Sequence, residues 1–95
     1  MLPNLVTLSI KEFLMPTLHT IDSIKIDIYS REHLPPHFHA IYAENEILIE
    51  IKNLKTYAGS LPTRQHKIVL DWAKDEKVKA FLLTNFERLN PNLRK

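Results

Sequence analysis

SIKIDIYSREHLPPHFHAIYAENEILIEIKN, residues 23–53, carries the pattern that decides the fold. Ile24, Ile26 and Ile28 alternate with Lys25, Asp27 and Tyr29, the period of two expected of a half-buried strand. A second strand follows the prolines. Pro35 and Pro36 cannot sit inside a ladder because they lack an N–H, so this strand starts at about His37. Glu44–Asn45 supplies a tight turn, after which Ile47, Ile49 and Ile51 line one face of a third strand. Working outward, LKTYAGS (54–60) reads as a short fourth strand entered through Asn53. The sole glycine, Gly59, stands where that strand hands over to a helix, a place that calls for a positive φ or close packing. On the other side, Val6, Leu8 and Ile10 alternate with Thr7, Ser9 and Lys11, so Leu5 to Leu14 reads as a further short strand.

From SLPTRQHKIVLDWAK onward the period changes to that of a helix. Ser60 or Thr63 can cap it, and Pro62 is tolerated in its first turn. Ile68, Val69, Trp72 and Ala73 form one apolar stripe, and Val78, Phe81, Leu82, Asn85, Phe86 and Leu89 resume it beyond KDEK (74–77). Two helices meeting near Asp75 suit a compact domain better than one bent helix, and Pro91 stops the second. Trp72, Phe81 and Phe86 are assigned to core packing. The expectation is an α+β fold: a small, mainly antiparallel sheet of three to five strands with two C-terminal helices packed on one face. Residues 15–90 form the single domain, 1–14 an N-terminal extension or first strand, and 91–95 a tail.

Composition limits the chemistry. A chain of 95 residues has room for one small core. With no cysteine, thiolate catalysis and disulfides are excluded, and any metal must be held by His, Asp or Glu. No apolar run is long enough to span a membrane and no secretory signal is evident, which agrees with a cytoplasmic location. The net charge of +2 is unevenly shared, −4 over residues 1–50 and +6 over 51–95. A basic second half can steer RNA, can attract the acidic first half, or can be an ordinary solvated face; Lys74, Lys77 and Lys79 fit the last.

Chemistry concentrates in HLPPHFHAIY (33–42). On a strand, His37 and His39 share a face roughly 7 Å apart, and His33 can fold back toward them. Three readings stay open. The histidines can hold a divalent metal such as zinc, iron or nickel, with Glu44 as an added carboxylate and Glu46 two residues further on. They can act without metal as acid and base in RNA cleavage, with Arg64, His66 and Lys67 at a helix start holding phosphate and Tyr42 and Tyr57 stacking bases. They can also be a strand entrance hydrogen-bonded to its own loop, with no chemistry. His66 taken alone reads as a surface or structural residue, and His19 receives no role.

YSREHLPPHFHAIY, GSLPTRQHKIVLDW and LLTNFERL together resemble a family of small bacterial domains of unknown function. Its members share a His-x-Pro-Pro-His-x-His segment, a Gly-x-Leu-Pro helix start, a Leu-Val-x-x-Trp helix and an Asn-Trp-Glu ending. The matching positions are His33, Pro35, Pro36, His37, His39, Gly59, Leu61, Pro62 and the stretch around Trp72; Phe86 replaces the family's last tryptophan. Members often begin near a Met-Pro-Thr, here Met15-Pro16-Thr17. The resemblance implies a component of a toxin–antitoxin-like gene pair, with a small partner protein encoded nearby and RNA as a target; a homo-oligomer is also compatible. The resemblance does not identify a reaction. Joined to the histidine reading, the expected function is a component of a toxin–antitoxin-like module that acts as an RNA-cleaving toxin through His33, His37 and His39, with a non-catalytic partner-binding protein and a metal-dependent hydrolase as the alternatives.

Overall fold

The computed structural model describes residues 17–93. The strand expected over Leu5 to Leu14 lies outside them. Five strands run in chain order across one antiparallel sheet: β1 (His19–Ile21), β2 (Ile24–Asp27), β3 (His37–Tyr42), β4 (Asn45–Glu50) and β5 (Thr56–Gly59). Two helices follow, α1 (Thr63–Ala73) and α2 (Glu76–Leu89), and a single 3-10 turn closes at Pro91–Leu93. The expected α+β class and the C-terminal helix pair are those observed.

Alternation along the strands separates two faces. Ile24, Ile26, Ile28, Phe38, Ala40, Ile47, Ile49 and Ile51 are buried, and cross-strand pairs such as Ile26–Ala40, Ala40–Ile47 and Phe38–Ile49 keep them on one side. The helices add Val69, Ala73, Leu82 and Phe86 to this cluster, and Trp72 meets Phe38 edge-on at 6.4 Å. Each fully buried Ile or Phe contributes about 2 kcal/mol, so this layer is the main source of stability. Phe81 departs from the expected stripe and stays exposed, while Phe86 is buried. Trp72 is half-buried and stacks on His19 at 4.8 Å, which gives that edge histidine a packing role.

Turn chemistry accounts for the other differences. β1 is only three residues long, too short for a periodic signal, and it joins β2 through Asp22–Ser23, both at positive φ as a two-residue hairpin turn requires. The β3–β4 turn falls at Ala43–Glu44, one residue before the expected position, because Tyr42 pairs with Asn45 and Ala43 takes the positive φ. Before β5, Asn53 accepts a hydrogen bond from Lys55 N–H at 3.0 Å, as its turn role suggested.

Neither Ser60 nor Thr63 caps α1. Pro62 occupies the cap position and makes no side-chain bond, because Leu61 is drawn into the core and carries the chain directly into the helix. α2 is capped conventionally: Asp75 accepts from the N–H groups of Lys77 and Val78 at 2.7 and 3.3 Å. Lys79, expected on a solvated face, instead donates to the carbonyls of Ile51 and Lys52, both at 3.1 Å, and ties α2 to the end of β4. Among the described residues no helix is long and apolar enough to cross a membrane.

Gly59 has φ +74°, and a Cβ there would collide with the Glu46 carbonyl oxygen. Both the backbone conformation and the close approach demand glycine. Gly59→Ala should therefore lower unfolding free energy by about 2 kcal/mol or more in urea titration, well beyond the usual surface substitution.

Candidate metal centre

β3 places Phe38 and Ala40 in the core, so His37 and His39 project from the opposite face. That face is not open. The nine-residue connection 28–36 folds back over it and brings Glu32 between the two imidazoles. Glu32 Oε1 lies 3.1 Å from His37 Nε2, and Glu32 Oε2 lies 2.8 Å from His39 Nε2. The side chains of His37, His39 and Glu32 are 0, 10 and 14% exposed.

The remaining ring nitrogens are also engaged. His37 Nδ1 donates to the Pro35 carbonyl at 2.9 Å, and since a carbonyl only accepts, this fixes a hydrogen on Nδ1. His39 Nδ1 lies 2.7 Å from Glu46 Oε2, a carboxylate two places along β4 from its cross-strand partner Leu48. Both histidines are thus oriented from Nδ1 by an acceptor, leaving both Nε2 atoms to converge. One ligand atom each from Glu32, His37 and His39 falls within 4.8 Å of the others. Imidazole held at one nitrogen by a carboxylate or carbonyl, with the other nitrogen turned to a common point, is the usual outer support of a metal-binding histidine.

Asn90, at the C-cap of α2, fixes the connection that carries Glu32. Its Oδ1 accepts from Glu32 N–H at 2.8 Å, while its Nδ2 donates to the carbonyls of Tyr29 at 2.9 Å and Phe86 at 3.0 Å. Asn90 is 5% exposed, so these bonds are made out of water. Phe86, from the turn before it, packs against the His37 ring with centroids 5.7 Å apart. Just beyond β2, Tyr29 covers His39 from another side at 4.6 Å and donates its hydroxyl to Asp27 Oδ2 at 3.1 Å. Burial, then the charge and hydrogen bond of Asp27, then Glu46 and Glu32 push the Tyr29 phenol well above its ordinary value, which keeps it a donor.

The other expected site residues fall in different places. His33 is exposed beside the centre, its ring 5.5 Å from His37 and its Nδ1 3.1 Å from the Tyr57 hydroxyl. Tyr57 is the extra residue of a β-bulge opposite Leu48–Ile49, and it lies 5.3 Å from His37. Glu44 sits exposed in the far turn of the β3–β4 hairpin, and Glu32 occupies the place expected of it. Tyr42 alternates onto the core side, packed against the buried cluster. Arg64, His66 and Lys67 belong to α1, which packs on the core face, so the sheet separates them from the buried histidines; Lys67 instead pairs with Asp71 at 3.4 Å.

Glu32, Asn90, Asp27 and Tyr29 carry no motif that would have singled them out. Glu32 had one available signal, a carboxylate five and seven residues before the two histidines on a loop made to turn by prolines.

A small antiparallel sheet with a His–His–Glu group on the face away from its helices defines the class of domain. Residues 23–87 match a family described as a domain of unknown function (DUF4160), and the chain belongs to that family. No curated protein and no solved structure gives a match.

Asn90→Ala should strip the loop of its clamp and leave Glu32 N–H and Tyr29 C=O without it. A loss of about 2 kcal/mol or more in denaturant unfolding is expected, with Asn90→Asp, which keeps the acceptor, falling between the variant and the wild type.

Proposed function

We propose that this domain binds one divalent metal ion through Glu32, His37 and His39 and uses it for hydrolysis. The observation that carries this reading is the shared orientation of the two imidazoles: each Nδ1 is held by an acceptor, and both Nε2 atoms face the same carboxylate. Two histidines and one carboxylate leave coordination positions for water and substrate, and zinc, iron and nickel all accept this donor set. A metal bound there lowers the pKa of its water and polarises the bond under attack. Glu46 and the Pro35 carbonyl hold the histidine ligands, and Asn90 holds the loop bearing the carboxylate.

Metal-free acid–base cleavage of RNA by His37 and His39 is the competing reading, favoured by ring centroids only 5.5 Å apart. Two features weigh against it. The His37 side chain has no exposure through which to reach a substrate, and every nitrogen of the pair already faces an oxygen. The phosphate contacts expected from Arg64 and Lys67 belong to a helix on the other face of the sheet. A place in a toxin–antitoxin-like pair, with RNA as the substrate of the metal-activated water, is supported by the sequence resemblance.

Untagged protein titrated with Co(II) or Zn(II) should take up one equivalent. Glu32→Gln and His39→Ala should each lose binding by more than a hundredfold, Glu46→Gln by roughly ten- to a hundredfold, and Glu44→Gln should bind as wild type does. Absence of stoichiometric uptake by the folded wild type, or RNA cleavage that persists in EDTA and disappears in His37→Ala, would replace this reading with the acid–base one.

A further inference from the structure

Asp27 is the buried ionisable group that the centre just described does not use. It is 5% exposed and lies on the same sheet face as His39, its direct cross-strand partner. Opposed residues of an antiparallel pair have Cβ atoms about 5 Å apart, and the Tyr29 ring that lies on His39 also delivers its hydroxyl to Asp27 Oδ2. Asp27, Tyr29 and His39 therefore form one packed group. The second oxygen, Asp27 Oδ1, is fully buried and has no hydrogen-bond partner among the described residues. A buried carboxylate oxygen without a donor is costly, and a water or ion that supplies the donor is one reason proteins keep such a group.

We propose, on the footing of the metal reading above, that Asp27 Oδ1 receives a hydrogen bond from a water bound to the metal. Asp27 is not one of the three groups whose ligand atoms come together within 4.8 Å. It stands outside the ligand set itself, and in this proposal an intervening water is what links it to the ion. Its neighbours support the charge balance. Asp27, Glu32 and Glu46 all act electrostatically on Tyr29, so three carboxylates gather around this end of the sheet. With both histidines neutral as ligands, a divalent cation offsets two of those three charges. The bonded water would give a hydrogen to Asp27 and keep a lone pair for the bond under attack. Tyr29 holds the opposite oxygen and sets the plane of the carboxylate. Asp27 is thus a positioning residue for the hydrolytic water.

This assignment makes stability and metal affinity move in opposite directions. Asp27→Leu removes an orphaned buried acceptor and fills the space with an apolar side chain of similar size; Tyr29→Phe/Asp27→Leu also removes the hydroxyl that would lose its acceptor. The double variant, without metal, should melt no lower than wild type. Its affinity for Zn(II), from competition with a chromophoric chelator, should nevertheless fall roughly tenfold or more. In Mn(II)-loaded protein, oxygen-17 relaxation should show the bound water exchanging several times faster than in wild type. If wild type takes up no metal, the metal reading falls and this inference with it. If wild type binds and the double variant binds equally tightly with unchanged water exchange, the metal reading stands and the role of Asp27 is overturned. A double variant that melts far lower than wild type overturns it as well, because Asp27 would then be a structural group; Tyr29→Phe alone, which leaves the carboxylate in place, checks that the fold tolerates the loss of the hydroxyl.

Discussion

The contact on which this structure turns is the one between the Glu32 carboxylate and two imidazoles on the wrong side of the sheet. A carboxylate that is 14% exposed must be compensated, and here the compensation comes from groups that are themselves largely out of water. When Glu32 and Glu46 are both ionised, His39 satisfies both only by carrying hydrogen on both nitrogens. A divalent ion in the centre of the group would take over the role those hydrogens play. Buried polar groups of this kind add little net stability compared with apolar packing.

The apolar layer on the other face does the folding. Isoleucines at alternate positions, joined by short turns, need only local pairings, and each strand lies beside its predecessor. With hydrophobic burial concentrated on one side, the other side is free to carry polar residues in fixed register. Phe86 and Asn90 connect the two faces. Phe86 belongs to the core yet touches His37, and Asn90 reaches from the end of α2 to the loop that holds Glu32.

Period was legible in the sequence and long-range closure was not. Ile24, Ile26, Ile28, Ile47, Ile49 and Ile51 announced their strands and their buried face, and the break at Asp75 announced two helices. The same period put His37 and His39 side by side. What could not be read was which carboxylate would complete them. Glu44 and Glu46 follow in the next strand, so counting along the chain favours them, whereas Glu32 depends on the path of a nine-residue connection. That path is set by Asn90, fifty-eight residues from Glu32, and no local pattern records such a contact. Tyr42 illustrates the converse: one residue of strand parity is enough to remove it from the site and give it to the core.

The Asn90 clamp also imposes an order of assembly. Strands β1 to β4 can pair as they emerge during synthesis, since each contact lies close in sequence. The histidines are then already aligned, but the loop between β2 and β3 has nothing to hold it until the end of α2 arrives. A nascent chain therefore presents four paired strands before the loop over their histidines is fixed. The loop that bears Glu32 is held in place only once the last helix has docked.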